Sequence, residues 1–188
     1  MDDRTTDADA TRSTGPTIRL EPYGPADLPT LERQNTPEMT RFLGGPESRA
    51  KLLDRHERYQ RYWRTGEARM FRIVLDETIG AASGVGVGLI GFWSTTHGGE
   101  AVHETGWSVE SGYQGHGIAR AALQLVLEDA RVNGSHRWLL AFPRTDNVGS
   151  NALCRSCGFE LLGEEPFEYP KGNPIVSNAW RYDLGARG

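Results

Sequence analysis

The sequence predicts an α/β protein of the α+β kind: a mixed, mostly antiparallel sheet of about seven strands with helices on both faces. Three observations lead there. Alternating apolar runs between Arg69 and Val109 follow one another through short turns, as an antiparallel meander does. A strongly apolar helical pattern from Ile118 to Val132 then separates the fourth strand from a fifth, His136–Phe142, and a helical crossover makes two pairing strands parallel. Two further strand patterns, Phe159–Gly163 and Ile175–Asp183, close the chain after a second short helix.

The elements follow in order. Residues 1–16 hold no large apolar side chain after Met1, so they read as a disordered tail ahead of a single domain spanning 17–188. Thr17–Tyr23 alternates as a first strand, and Pro25–Asn35 reads as a short helix. Gly44-Gly45-Pro46 breaks the chain and opens a helix, with Pro46 at its first position, running to about Arg64. Leu52, His56, Tyr59 and Trp63 share one face of it, whereas Arg49, Lys51, Arg55, Arg58, Arg61 and Arg64 read as a solvated face. Arg69–Asp76 and Val85–Thr95 form a hairpin across the Gly-rich Glu77–Gly84 turn, and His97-Gly-Gly-Glu100 turns into the fourth strand, Val102–Val109. On the next helix Ala119, Leu123, Val126 and Ala130 line one face, with Ala122 and Leu125 beside it. Asp146-Asn147 caps a helix from Val148 to Cys157, and Gly158 suits the position beyond its end.

A net charge of −4 gives no electrostatic footprint for nucleic acid. No apolar run approaches the ~18 residues of a membrane span. The polar N-terminus and absent disulfide framework lead us to expect a cytoplasmic protein.

Between the fourth strand and the long helix lies Tyr113-Gln114-Gly115-His116-Gly117-Ile118-Ala119-Arg120. A strand, a glycine turn and a helix start make an anion site, because the first helical N–H groups lack partners and the helix dipole favours negative charge there. The spacing is neither a P-loop nor G-x-G-x-x-G, since Arg120 takes the third glycine position. Gln114 to Ala119 does match Q/R-x-x-G-x-G/A, and Asn147-Val-Gly-Ser150 with Gly158-Phe159 matches N-x-x-S/A … G-F. With Glu104–Val109 before them, these segments resemble the GNAT superfamily of N-acetyltransferases, nearest the branch that acetylates ribosomal-protein N-termini.

The resemblance implies a GNAT fold in which strands four and five splay apart and admit the pantetheine arm of acetyl-coenzyme A. Backbone groups of Gln114, Gly115, His116, Gly117, Ile118, Ala119 and Arg120 would hold the pyrophosphate, and Asn147 and Ser150 the pantetheine. The implied reaction is direct attack of a primary amine on the thioester, with the Val109 amide stabilising the tetrahedral oxyanion. An alkyl amine of pKa ~10.4 needs a base at neutral pH. Glu104 is the candidate, with Glu110 and His97 as rivals. Where many relatives carry a Tyr that protonates the leaving thiolate, this chain has Cys154; water or no acid is expected instead. Cys154 and Cys157 form a C-x-x-C with no further ligands, so packed thiols are expected, and no metal. Glu164, Glu165 and Glu168, with Phe167, Tyr169, Trp63 and Trp93, are candidates for an acidic, aromatic rim around a cationic amine. The acceptor is a small molecule, lysine or protein N-terminus; the resemblance also allows a homodimer. A module that binds or senses acyl-coenzyme A without turnover is the alternative.

Overall fold

The computed structural model describes residues 16–75, 84 and 86–185. The expected tail and most of the Glu77–Gly84 turn lie outside the described residues. The elements are β1 (Ile18–Pro22), α1 (Leu28–Gln34), α2 (Arg49–Thr65), β2 (Ala68–Leu75), β3 (Gly86–His97), β4 (Glu100–Val109), α3 (Ile118–Asn133), β5 (Trp138–Ala141), α4 (Val148–Ser156), β6 (Glu160–Glu168) and β7 (Pro174–Asp183). They build one seven-stranded sheet in the order β1-β2-β3-β4-β5-β7-β6. Every pairing is antiparallel except β4 with β5.

Two cores form, one on each face. Helix α3 buries Ile118, Ala122, Leu123, Val126, Leu127 and Ala130 against Phe71, Ile73, Ile90 and Leu139. Each fully buried Leu or Ile there contributes roughly 1.5–3 kcal/mol. On the other core, Leu31 of α1 and Leu52 of α2 meet Met70 and Leu89. His56 is a packed residue, its Nδ1 2.7 Å from the Tyr23 hydroxyl.

Two expectations change. Helix α2 opens at Arg49 rather than Pro46, because Ser48 takes the N-cap: it is extended at φ −65° and ψ 156°, and its Oγ accepts from the Lys51 N–H. The presumed loop after Gly163 is instead strand. β6 continues to Glu168, its alternating residues paired with β7 from Pro174 onward. Pro166 is compatible with this because β6 is an edge strand, where a missing N–H breaks no ladder. The Gly98-Gly99 turn between β3 and β4 has both φ positive, at 57° and 83°, which a tight two-residue hairpin requires and which β-carbons disfavour.

Candidate active site

β4 carries the site. It pairs with β5 only at His103↔Leu139 and Glu104↔Leu140, after which the two strands part. On its other side β4 stays paired with β3 as far as Gly88↔Val109. The Glu110 N–H donates to Val87 O at 2.9 Å. Successive N–H groups of a strand point to opposite sides, so those of Val109 and Trp107 turn away from β3, toward the gap. An extended chain entering that gap would find ladder donors waiting.

At the end of β4 the chain makes a short 3-10 turn, Ser111–Tyr113, and then the glycine loop. Gly115 and Gly117 sit at φ 79° and 78°, both left-handed. No atom lies within 4 Å of a β-carbon built on Gly115, so the loop's outer side is open. Ala121 is the first residue of α3 whose N–H reaches a backbone acceptor, Gly117 O at 3.0 Å. Those of Ile118, Ala119 and Arg120 precede it, and the first N–H groups of a helix have no intrahelical acceptor, which is what an anion site requires. Gln114 plays a different part from the one expected. Its N–H goes to Ser111 O (3.3 Å) and its side-chain amide donates to Val109 O (2.8 Å), so it braces the loop to β4. The open cradle is therefore Gly115, His116, Gly117 and the first turn of α3.

Across the gap, Asn147 caps α4, its Oδ1 accepting from the Ser150 N–H at 3.1 Å. Asn147 and Ser150 both line a cleft of about 250 Å³ that also receives Glu104, Trp93, Ser108 and Phe142. Asn151, which sequence reasoning passed over, fixes this edge. Its Nδ2 donates to Arg144 O and Asn147 O (both 2.8 Å), and its Oδ1 accepts from Asn178 Nδ2 (2.7 Å) and Trp180 Nε1 (2.9 Å). All four bonds an Asn side chain can readily make are satisfied. Asn151→Leu strands the buried Trp180 donor and the half-buried Asn178 donor and is expected to cost about 3 kcal/mol, read as a lower denaturation midpoint.

Glu104 projects into the cleft beside Trp93, its cross-strand partner in the β3–β4 ladder. Burial pushes its carboxyl up to about 7, opposed by a hydrogen bond from the Trp93 side chain. Gly106 makes room for this indole: a β-carbon there would lie 3.1 Å from Trp93 Cη2. The rivals are committed elsewhere. Glu110 Oε1 accepts from Arg33 Nε at 2.9 Å, and His97 Nε2 lies 3.0 Å from Glu165 Oε2.

The neighbouring His103 holds the connection into β5. It is buried, and its Nε2 accepts from the N–H groups of Ser135 (2.9 Å) and His136 (3.2 Å). Burial, then the nearby His136, lowers its pKa below the usual 6.5. A proton on Nε2 would break both bonds. The unfolded chain therefore binds more protons just below pH 6.5, and stability falls as pH drops from there toward the folded value. His103→Asn is expected to flatten that acid-side slope in a pH series of urea titrations.

The proposed acidic rim does not form. Because β6 is a strand, Glu165, Phe167 and Tyr169 share one side, while Glu164 and Glu168 are exposed on the other. Phe167 stacks on Phe142 at 5.0 Å, and both line the cleft with Tyr169. Trp63 is elsewhere: its Nε1 donates to Met70 O (2.6 Å) and its ring meets Phe71 edge-on. Arg55, read as part of a solvated face, instead lines the cleft. Its place three residues after Leu52 and four before Tyr59, flanking the apolar stripe, was the available signal. Cys154 is wholly buried in the core, where burial pushes its thiol up to about 12; Cys157 is partly exposed.

What such a fold and site define is an acyltransferase drawing its acyl group from a phosphate-bearing thioester. Residues 17–160 match the family model described as an acetyltransferase (GNAT) domain, and the chain belongs to that family, whose donor is acetyl-coenzyme A. Solved structures agree in fold. A ribosomal-protein-alanine N-acetyltransferase from Brucella melitensis is 27% identical, with 89% of this chain and 99% of that one covered and a TM-score of 0.68. The protein yncA from Salmonella typhimurium, solved with its cofactor acetyl-coenzyme A, is 21% identical over 92% and 95% of the two chains, at a TM-score of 0.69. RimJ of Mycobacterium smegmatis, in complex with a coenzyme A disulfide, is 21% identical over 88% and 81%, at 0.70. Among curated protein sequences none matches. No helix among the described residues is long and apolar enough to cross a membrane.

Proposed function

We propose that this protein transfers an acetyl group from acetyl-coenzyme A to the nitrogen of a primary amine, with Glu104 as the general base. One observation carries the reading: a carboxylate whose pKa burial pushes up to about 7 lies in the cleft where β4 and β5 part. A base titrating near the working pH both accepts a proton readily and is available to do so.

Coenzyme A fits the residues present. The cradle from Gly115 to Arg120 offers unpaired N–H groups to a pyrophosphate, and the N–H groups of Trp107 and Val109 suit an extended arm beside β4. When bound, the cofactor supplies an activated acetyl thioester. Val109 then presents a fixed N–H donor where negative charge would develop. The Asn147 side-chain nitrogen and the Ser150 hydroxyl stand on the far wall of the cleft as donors to the arm. Trp93 orients the Glu104 carboxylate, and Phe142 and Phe167 exclude water. Cys154 does not serve as the thiolate's acid, being wholly buried and too weak, and a thiol of pKa ~8.5 leaves adequately without help.

The test is release of free thiol from acetyl-coenzyme A with a panel of primary amines. The proposal expects kcat/KM to rise through an apparent pKa near that of Glu104. Tight coenzyme A binding with no thiol release on any amine would instead favour a sensing module.

A further inference from the structure

The cleft around Glu104 has two aromatic walls, and the sheet register brings both to the carboxyl. Trp93 is the cross-strand partner of Glu104 on β3, and its side chain hydrogen-bonds the carboxylate. The indole packs onto the buried cluster that Leu31 and Leu52 form with Met70 and Leu89. On its other side Glu104 pairs with Leu140 of β5. Phe142 follows two residues later, lines the cleft, and stacks on Phe167 with ring centroids 5.0 Å apart and planes 16° apart.

Free charge is confined to one group on this surface. Among the described residues that line the cleft, Arg55, Arg144 and Glu104 are the ones with formally charged side chains. Both arginines are already answered. Arg55 is ion-paired with Glu47, and Arg144 holds Asp146 at two points, Nε to Oδ1 and Nη2 to Oδ2, each at 2.9 Å. Among the described residues no cation pairs with Glu104; burial and the Trp93 bond account for its shift. The polar side chains are spent within the protein as well. Asn35 bonds the Glu47 backbone through both ends of its amide, and Thr105 donates to Gly91 O at 2.8 Å. Ser108 donates to Gln34 Oε1 at 2.5 Å. Of the described lining residues, Gln34 alone keeps a buried side-chain donor without a partner, the neutral Nε2. One unanswered carboxylate therefore stands between aromatic walls that carry no other free charge.

We propose that the acceptor is an arylalkylamine: one primary amine on a short arm of an uncharged aromatic body. The nitrogen meets Glu104, and the ring lies against Trp93, Phe142 and Phe167. This deepens the N-acetyltransferase reading above and rests on it. In the transfer the amine nitrogen bonds the acetyl carbon and the carbon–sulfur bond breaks. The proton leaves nitrogen for Glu104 and is returned to the departing sulfur, so amide and thiol are the products. The carboxylate of an amino acid would find no unpaired cation here, and the further cations of a polyamine no second carboxylate. A peptide would carry its backbone N–H and C=O groups between aromatic walls, where unpaired polar groups are costly.

The experiment follows thiol release from acetyl-coenzyme A with phenethylamine and tryptamine, against hexylamine, phenylalanine, spermidine and a C-terminally amidated dipeptide. Binding of phenethylamine and hexylamine in the presence of coenzyme A is measured by calorimetry. Phenethylamine is expected to exceed hexylamine several-fold in kcat/KM, because ring contacts add to the area buried. It should exceed phenylalanine and spermidine by about 100-fold or more, the scale of stranding a charge in an apolar site. Phe167→Leu keeps an apolar side chain but removes a ring, and it leaves Trp93 free to hold Glu104. That variant is expected to bring the phenethylamine-to-hexylamine ratio close to one, its coenzyme A affinity reporting that it is folded. Hexylamine, phenylalanine, spermidine or the dipeptide reacting as well as phenethylamine overturns the proposal. So does a Phe167→Leu variant that binds coenzyme A and keeps the wild-type ratio. If no amine releases thiol but phenethylamine binds more tightly than hexylamine, and Phe167→Leu removes that difference, the transferase reading fails and the ligand assignment stands. Arylalkylamines that neither bind nor react overturn the ligand assignment.

Discussion

Glu104→Gln is expected to lower kcat/KM by about 100- to 10,000-fold at pH 8, the usual range for losing a general base, and at the same pH to raise the thermal midpoint. The two effects share one cause. A carboxyl with an ordinary value of 4.5 that burial pushes up to about 7 is held in a place that disfavours its charge. Between those values the folded state binds more protons than the unfolded one, so the stability tied to Glu104 is present at low pH and is lost as pH rises through the window. Above it the full penalty, up to about 3 kcal/mol, is in force. Glutamine keeps the shape and the bond with Trp93's side chain within reach but carries no charge to desolvate. The variant should therefore gain stability over wild type at pH 8 and none at pH 4, measured by thermal melts without ligand. A surface carboxylate with no catalytic part would move neither the melt nor the rate. Equal activity in the variant at pH 8 removes Glu104 from the mechanism.

Gly117→Glu is expected to weaken coenzyme A binding by at least about 100-fold, while Gly117→Ala weakens it by about 10-fold or less. Gly117 caps α3 at φ 78°, where a β-carbon is strained by roughly 1–2 kcal/mol. Alanine isolates that strain. Its methyl group meets Pro16, with Cδ at 3.5 Å and Cγ at 4.0 Å, both ordinary contacts. Glutamate adds a negative charge at the mouth of an anion cradle, where like charges about 4 Å apart repel by roughly 1–4 kcal/mol between bulk water and a protein surface. The difference between the two variants, measured by calorimetry with coenzyme A, reports the charge term. Unchanged affinity in both would move the pyrophosphate away from the head of α3.

Much of this was legible in the chain itself. Period-two runs ending at paired glycines gave the β2–β3–β4 meander, and the apolar circumference of Ile118–Val132 marked a helix that had to be covered. A helical crossover between β4 and β5 implied their parallel pairing. The cradle could be read because its cause is local: a glycine turn running into a helix start leaves N–H groups unpaired wherever it occurs. Glu104 was legible for a similar reason, since its position on β4 relative to Val109 is fixed by the strand.

What the sequence did not contain was the partner of each group. Gln114 was read for its backbone alone, and only the fold showed its side chain returning to Val109 O. Glu164 and Glu168 became outward-facing only because β6 pairs with β7 beyond Gly163, and strand pairing is a long-range property. Arg55 sat in a run of helix-surface cations, and only the packing of α2 against β2 brought it to the wall of the cleft. The pKa of Glu104 is of the same kind. Its residue type and position belong to the sequence, but desolvation depends on what packs around it, and Trp93 and the cleft walls come from distant segments. The chain alone determined the glycine turn at a helix start, the parallel crossover and the place of Glu104 on its strand. The tertiary structure decided which charges were buried, and so which of them could do chemistry.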